Sequence, residues 1–291
     1  MRPTPKTLIL DLLSTLPRNA SGGSMPVRAL VDVGEIFGLG QNSIRVALAR
    51  LLARGTVARD ERGRYRLGYA AEAINREVRG WRHIEERIVA WRGDWIGVHC
   101  ATGRRGGARP RSAQALRFLG FRALSPGLHV RPNNIDDGIE GLRERLHGLG
   151  LVDGALVVGL SDLDLHSQAR ARRLWNADAP ALAYRAMRDD LARSEVRLAQ
   201  ASVEEAMVES FMLGGRAIRQ LVLDPLLPDA IAPGDERRAL VARMTEYDAF
   251  GRSLWAAFMQ SHDLPYRRTP ADLRLADGTD RIARFSAATA R

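Results

Sequence analysis

Apolar side chains near the start of the chain recur with the spacing of amphipathic helices. The first set consists of Leu8, Ile9, Leu12, Leu13 and Leu16. This spacing predicts a helix that ends at Pro17. The second set consists of Val27, Leu30, Val31 and Ile36. It predicts another helix, which stops in residues 37–40, where Gly38 and Gly40 favour a tight turn.

A third helix is predicted to begin at Gly40 or Gln41. Its apolar face consists of Ile44, Leu48 and Leu51, which follow one another at intervals of four and three residues. The opposite face is polar, so this helix is expected to lie at the protein surface.

Two short segments after the third helix alternate in polarity as β-strands do. Residues 56–59 and 64–67 flank the sequence Asp60-Glu61-Arg62-Gly63, which is typical of a hairpin turn. Helix, tight turn, helix and hairpin therefore follow one another. This order predicts a winged helix-turn-helix within a domain over residues 1–69. Such a fold can contact protein instead of DNA, and that alternative stays open here.

The outward face of the third helix carries the residues expected to contact DNA. Gln41, Asn42, Ser43 and Arg45 lie in its N-terminal half, the end that enters the major groove in this motif. Asn and Gln pair with adenine, and Arg pairs with guanine. Three further arginines, in the helix and near the hairpin tip, complete the predicted DNA-binding set. They are Arg50, Arg62 and Arg64.

Beyond the hairpin the pattern changes twice. A charged helical stripe over residues 70–90 predicts a connecting helix. Residues 91–165 follow the βαββαβ order of a ferredoxin-like domain. Residues 166–291 are mainly helical, with a capping box at residues 202–205. The predicted fold class is therefore α+β, with a winged helix-turn-helix, a ferredoxin-like middle domain and a helical C-terminal domain.

The formal net charge of +10 is unevenly distributed. Residues 1–134 carry +13 and residues 135–291 carry −3, so the basic half contains the predicted DNA-binding domain. Lys6 is the single lysine, so the position of the arginines is more informative than their number. Cys100 is the single cysteine, which excludes a disulfide framework and is expected to be a packed core thiol. No segment approaches the roughly twenty apolar residues of a membrane span, and we therefore predict a cytoplasmic protein.

Several blocks of sequence, in this order along the chain, resemble one protein family. They are GLGQNSIRVALARLLARG (38–55), RGRYRLG (62–68), WRGDWIGVHC (91–100), LRFLGFRALSPGLHVRP (116–132), RRLWNADAPALAYRA (172–186) and GRAIRQLVLDPLLPDAIAP (215–233). The chain resembles the PaaX-like transcriptional repressors of phenylacetic acid degradation. The resemblance implies a homodimer that binds a palindromic operator in double-stranded DNA. It also implies a repressor of an aromatic-acid catabolic operon, without enzyme activity or cofactor, that is released by an aryl-acetyl-CoA thioester such as phenylacetyl-CoA.

A basic glycine-rich loop and the residues after it are candidates for binding this effector. The arginines concerned are Arg104, Arg105, Arg109 and Arg111. Charge and backbone N–H groups suit the phosphates of CoA, but a solvated loop or a DNA-backbone contact explains the same residues. Trp175, Tyr184, Phe211 and Met212 are candidates for an apolar acyl pocket. Aromatic residues at helical spacing also form ordinary core, so both interpretations stay open.

Two other classes of function compete with the regulator. One is an enzyme acting on acyl-CoA with a vestigial winged domain, and the other is an RNA-binding or nuclease-like protein. Residues 162–166 place two carboxylates and a histidine at alternating positions, which suits either a metal site or a strand that leads into a helix cap. The first strand of the middle domain ends at residues 99–101, which lack the acidic residue that ferredoxin-like CRISPR nucleases have there. No catalytic or metal-binding residue is therefore predicted.

Overall fold

The computed structural model describes residues 3–15, 23–60, 62–100, 110–176 and 178–264. This part of the chain combines α-helices with antiparallel β-sheets. The predicted mixture of α and β elements is therefore confirmed.

Three helices precede the first hairpin. They are α1 Pro5–Thr15, α2 Val27–Ile36 and α3 Gln41–Ala53. The predicted limits of α2 and the predicted start of α3 are confirmed, whereas Leu16 and Pro17 lie outside the described residues. The apolar faces are buried as their spacing predicts, and full burial of one leucine side chain contributes about 1.5–3 kcal/mol. The side chains that are completely buried include Leu8, Leu12, Leu30 and Ile44.

A three-stranded antiparallel sheet accompanies these helices, with strand order β1-β3-β2. The strands are β1 Met25–Pro26, β2 Val57–Arg59 and β3 Arg64–Leu67. β2 and β3 form the predicted hairpin, in which Val57 faces Leu67 and Arg59 faces Tyr65. The sequence does not predict β1, because two residues are too few to show an alternating pattern.

α4 Tyr69–Arg79 is shorter than the helix predicted over residues 70–90. Two 3-10 segments follow it, Gly80–His83 and Glu85–Arg87. Glycine is a poor helix former, and the change of direction at Gly80 brings Trp81 into the core, where it is 3% exposed. The prediction of one continuous connecting helix is therefore wrong beyond Arg79.

A second sheet has the strand order β5-β6-β4-β7, and each neighbouring pair is antiparallel. Its elements occur in the predicted order. They are β4 Trp95–His99, α5 Pro110–Phe118, β5 Arg122–Ser125, β6 Leu128–Pro132, α6 Gly138–Leu149 and β7 Leu156–Leu160. β4 alternates between two cores, because successive side chains of a strand point to opposite faces. Ile96 packs with Leu116 and Leu142 of the two helices, and Trp95 packs with Trp175 on the other face.

Four helices dominate the rest of the described chain. They are α7 Leu165–Arg172, α8 Asp178–Leu198, α9 Val203–Val222 and α10 Asp235–Ser261. The predicted capping box at the start of α9 is confirmed. The Ser202 backbone N–H donates to Glu205 Oε2 at 3.0 Å, and the Glu205 N–H donates to Ser202 Oγ at 3.3 Å.

The described residues form two compact units. The first unit contains the residues up to Arg79, Arg188–Ile218 and those from Ala242 onward. The second unit contains Gly80–Met187 and Arg219–Val241. α8, α9 and α10 each contribute residues to both units. The division therefore differs from the boundaries predicted after residues 69, 90 and 165, because the last helices do not form a unit of their own.

Candidate nucleic-acid interface

The N-terminal half of α3 presents the polar face that the sequence predicts. Gln41, Asn42, Ser43 and Arg45 are all exposed, whereas Ile44 is completely buried. The Gln41 side-chain amide donates to Glu35 Oε1 at 2.8 Å, so this residue has a partner at the end of α2. The other three side chains form no hydrogen bond or ion pair with the described residues and point into solvent.

The exposed arc of α3 has a centre and two flanks. At about 100° per residue, Asn42, Val46 and Ala49 lie near its middle, and Arg45 and Arg50 lie on the flanks, roughly 140° apart. Val46 is 40% exposed, so its methyl groups are accessible to solvent. Arg50 is exposed and has no ion-pair partner among the described residues. α3 therefore presents the amide of Asn42 and the methyl groups of Val46 between the guanidinium groups of Arg45 and Arg50.

Glycines fix the angle between α2 and α3. A Cβ atom at Gly34 would lie 2.6 Å from Ile44 Cγ1, so only glycine allows the two helices to approach this closely. Gly38 has φ 70°, a conformation that favours glycine, and its N–H donates to the Glu35 carbonyl at 2.8 Å. The orientation of α3 is therefore set by the packing of the Ile44 side chain against the Gly34 backbone and by the turn at Gly38.

Asp60 organises the tip of the β2–β3 hairpin. Its Oδ1 atom accepts hydrogen bonds from the backbone N–H groups of Arg64 at 2.8 Å and Arg62 at 3.1 Å. Gly63 supplies the positive φ of 75° that the turn requires. The Arg64 hydrogen bond is the largest cause that lowers the pKa of Asp60, so the ionised carboxylate is the form that supports the tip.

The two arginines predicted at the hairpin tip have different environments. Arg62 is exposed, and its guanidinium has no partner among the described residues. Arg64 Nε donates to Ser24 Oγ at 3.1 Å, and Nη2 donates to the Ser24 carbonyl at 3.0 Å. Ser24 itself is 5% exposed, so Arg64 braces the segment before β1. Arg62 is therefore open to solvent, whereas Arg64 is engaged within the protein, and the DNA contact expected of both stays a prediction.

Sequence reasoning missed other exposed arginines beside this hairpin. Arg66 lies two residues after Arg64 on β3, and Arg54 caps the C-terminal end of α3. Arg59 on β2 has its guanidinium 6.0 Å from the ring of Tyr65. The alternating pattern of β3 contained the signal for Arg66, which lies on the face opposite to the buried Leu67. Arg59 lies on the same face as the buried Val57, so its exposure was not predictable from the alternation.

The predicted effector residues do not come together in one described site. Arg104, Arg105 and Arg109 lie outside the described residues. Arg111 is exposed on α5, where its side chain lies beside Gly150. It stays a candidate without a described partner site.

The aromatic residues predicted for an acyl pocket belong to packed cores. Trp175 is 7% exposed, its indole N–H donates to the Gly120 carbonyl at 3.2 Å, and its ring stacks on Trp95 at 6.0 Å. The hydroxyl of Tyr184 donates to the carboxylate of Asp224. Phe211 packs against other aromatic rings of the first unit. These positions favour the core interpretation, because each side chain already has its partners within the protein.

A buried charged network in the second unit was not predicted. Asp224 Oδ1 accepts from Arg237 Nη1 at 3.3 Å and from the Leu226 backbone N–H at 2.6 Å. Arg237 Nε donates to Glu85 Oε1 at 2.7 Å. The side chains of Arg237 and Asp224 are 5% and 4% exposed. Burial raises the pKa of Asp224 despite the neighbouring guanidinium, so the pair depends on its internal hydrogen bonds.

Arg131 in the same unit holds the chain just after Asp224. Its Nη1 donates to the Leu119 carbonyl at 2.7 Å, and its Nη2 donates to the Pro225 carbonyl at 3.2 Å. Burial lowers the pKa of Arg131 to about 9. The side-chain amide of Asn134 adds a hydrogen bond to the Leu226 carbonyl at 2.7 Å. The segment around Pro225 is therefore held against the second sheet by hydrogen bonds from β6 and from the residues after β6.

The residues considered for metal binding or catalysis have ordinary structural roles. Asp164 accepts from the Ser167 backbone N–H at 2.9 Å and caps α7, which confirms the helix-cap interpretation of residues 162–166. Within the described ranges, no group of three His, Cys, Asp or Glu side chains could hold a metal ion. Cys100 is 1% exposed, and burial raises the pKa of its thiol, as expected for a core residue. None of the helices in the described ranges has the length and apolar character that a membrane crossing requires.

Comparisons with known proteins match the part of the chain that contains this candidate interface. A family model described as PaaX-like protein matches residues 5–71. Among solved structures, the uncharacterized protein Rv0674 from Mycobacterium tuberculosis is similar to the chain, with 22% sequence identity, a TM-score of 0.55 and coverage of 91% of this chain and 100% of that chain. At this identity the likeness concerns the fold alone. No curated protein is significantly similar to the chain. The resemblance predicted from the sequence is therefore confirmed: over residues 5–71, which contain the candidate interface, the chain is similar to the PaaX-like proteins.

Proposed function

We propose that the protein is a DNA-binding transcriptional regulator whose helices α1–α3 and β2–β3 hairpin act as a winged helix-turn-helix. The match to the PaaX-like family covers all of these elements, and that family generally regulates phenylacetic acid catabolism. The observation that carries the proposal is the exposed face of α3, where Arg45 and Arg50 have no partner among the described residues. Two unpaired guanidinium groups on one short helix suit a polyanion.

In this proposal α3 enters the major groove with the centre of its exposed arc towards the bases. Asn42 suits adenine, and the exposed methyl groups of Val46 suit the methyl group of thymine. Arg45 and Arg50, on the flanks, reach either guanine or the phosphates on the two sides of the groove. Arg62 at the hairpin tip and Arg66 on β3 extend the positive surface along the neighbouring backbone.

The second unit supports a more detailed version of the proposal. The strand order β5-β6-β4-β7, with α5 and α6 packed on one face, agrees with a ferredoxin-like arrangement. We accordingly propose a homodimeric repressor of a phenylacetate-type catabolic operon, without catalytic activity or cofactor, that phenylacetyl-CoA or a related thioester releases from DNA. A full release from 99% bound to 1% bound needs about 5.5 kcal/mol of differential affinity for the two states. By linkage, operator DNA must weaken thioester binding by the same factor.

Gel shifts on the DNA upstream of the gene that encodes the protein test the proposal. We expect a discrete complex that survives competition by scrambled DNA of the same length and composition. Equal affinity for the two DNAs, or no complex at low salt, would exclude a sequence-specific regulator. Addition of phenylacetyl-CoA, with free phenylacetate as the control, tests the effector separately. Steady turnover of the thioester would favour the alternative function, an enzyme that acts on acyl-CoA.

A further inference from the structure

An aromatic cluster in the first unit joins the α2–α3 turn to two helices that are distant in sequence. Phe37, the C-cap residue of α2, packs edge-on against Phe211 of α9, with ring centroids 5.6 Å apart. The same ring lies 6.4 Å from Trp255 of α10. Phe211 and Trp255 are themselves in contact at 5.5 Å. We call Phe37, Phe211 and Trp255 the aromatic clasp.

Contacts further along α10 continue the clasp towards α2. Trp255 packs against Phe258 at 5.8 Å, and Phe258 packs against His262 at 4.5 Å. His262 Nε2 lies 3.3 Å from Asp32 Oδ2 on α2. α10 and the residue that follows it, His262, therefore contact α2 at two places, its C-cap and the side chain of Asp32. One helix held at two points has less freedom to rotate about its own axis.

The position of Phe37 determines the position of α3. Phe37 is 3% exposed and immediately precedes Gly38, the glycine of the tight turn. Gly34 and Ile44 are packed too closely for α2 and α3 to slide independently. A change in the rings around Phe37 is therefore transmitted to α3 as a small rigid movement. Hydrogen bonds to base edges lose strength steeply with distance and angle, so a small movement is sufficient to weaken them.

We infer that Phe211 and Trp255 are positioning residues of the DNA-reading helix: they hold the α2–α3 turn in the orientation that presents Asn42 and Arg45. The inference rests on the proposed function, because it concerns the regulation of the same surface. It assigns α9 and α10 a direct part in DNA affinity, although they belong to the region predicted as a separate C-terminal domain. Signals that move these helices reach α3 through Phe37, without passing through α4.

Hydrogen exchange of the full chain tests the positioning role without DNA. Phe211→Leu and Trp255→Leu keep an apolar side chain but remove the ring contacts with Phe37. Tyr247→Phe is the matched control, because it lies on α10 in the same unit and its hydroxyl contacts Ser194 at 2.8 Å, away from the turn. We expect faster amide exchange in residues 37–45 for the two clasp variants and no change for the control. Unchanged exchange in these residues, or an equal increase in Tyr247→Phe, would overturn the inference. Phe211→Leu decides the outcome if Trp255→Leu does not fold.

DNA affinity is the second test of the inference. It is measured only for variants that circular dichroism shows to be folded. We expect the clasp variants to bind the upstream DNA about tenfold more weakly, as for one misplaced base contact, with little change on random DNA. Wild-type affinity in both clasp variants would overturn the inference while leaving the proposed function intact. Absence of DNA binding by the wild-type protein contradicts the proposed function instead, and the exchange measurement then decides the positioning role alone.

Discussion

The arginines of the candidate interface and the buried Arg237 of the second unit occupy opposite environments. In the first unit, Arg45, Arg50 and Arg62 project into solvent with no partner among the described residues. In the second unit, Arg237 is 5% exposed and lies between the carboxylates of Asp224 and Glu85. A guanidinium in water needs no partner, whereas a buried one is tolerated only when carboxylates or carbonyl groups replace its hydration.

This difference shows why net charge alone is a poor guide to function. The chain is strongly basic, but an arginine that is already paired inside the protein cannot neutralise a phosphate. Arg64 illustrates the point within the interface itself, because its guanidinium binds Ser24 while Arg62, two residues away, is free of described partners. The candidate interface therefore consists of exposed arginines that have no partner among the residues the structure describes.

The largest effect is expected from the buried network. Arg237→Ala should lower the free energy of unfolding by about 3–5 kcal/mol, because it leaves Asp224 buried without its counter-charge. Arg238→Ala is the matched control: Arg238 is the next residue, its side chain is 44% exposed, and it pairs with Asp235 at 2.6 Å. Such a surface pair contributes less than about 1 kcal/mol. Urea denaturation measures the free energy of unfolding of both variants. Equal losses of this free energy would contradict the contrast between buried and exposed arginines.

The second prediction concerns the face of α3. Asn42→Ala and Arg45→Ala should each reduce affinity for specific DNA by about 1–3 kcal/mol, since each removes one base contact. Their stability should stay close to wild type, because both side chains are exposed. Arg173→Ala, which removes an exposed arginine of the second unit, is the control for net charge. Fluorescence anisotropy with specific and random DNA separates the outcomes. A loss that is equal on both DNAs would identify a phosphate contact only.

The third prediction separates the two arginines of the hairpin. Arg62→Ala should flatten the dependence of log affinity on log salt by roughly 0.9 units, the effect of one lost phosphate contact. Arg64→Ala should leave that slope nearly unchanged but destabilise the protein, because two hydrogen bonds to Ser24 are lost. Salt titrations of DNA binding, combined with thermal unfolding, test both statements. A larger change of slope for Arg64→Ala would mean that Arg64 leaves Ser24 when DNA binds.

The smallest effect on stability is expected from Asp60, and its size depends on pH. Because its pKa is lowered in the folded protein, the stabilisation by Asp60 is present above its unfolded pKa near 3.9 and is lost as the pH falls through the lower folded value. Asp60→Asn should therefore be less stable than wild type at pH 7, and the difference should disappear in acid. Thermal unfolding between pH 7 and pH 3 measures it, with the exposed Asp153→Asn as control. A difference that stays constant with pH would show that the charge of Asp60 has no role.

Local patterns predicted which residues of α3 are exposed and which are buried. The spacing of Ile44, Leu48 and Leu51 was sufficient to identify which face of α3 is exposed, because a helix of this length has one buried side. The capping roles of Ser202 and Asp164 were also predictable, since a cap needs only residues three positions apart. In each case the structure-forming contact lies within one or two helical turns.

Contacts between distant residues explain what the sequence could not predict. Arg64 looks like any hairpin arginine until Ser24, forty positions earlier, is seen to accept its hydrogen bonds. Trp175 and Tyr184 give the same sequence pattern whether they line a pocket or fill a core, and their contacts with Gly120 and Asp224 decide between these roles. The pairing of Phe37 with Trp255 has no local signal, because each residue taken alone is simply an apolar position.

The first unit combines residues from the start and from the end of the described chain, so the order of synthesis affects how this unit folds. Phe37 emerges from the ribosome early, but its partner Trp255 emerges only after nearly the whole described chain has been made. At about 5–20 residues per second, the N-terminal helices wait on the order of ten seconds or more with an aromatic surface uncovered. Such nascent intermediates are typical clients of chaperones. The same arrangement makes residues 5–71 part of a discontinuous unit, so these residues and the late helices α9 and α10 complete their fold together.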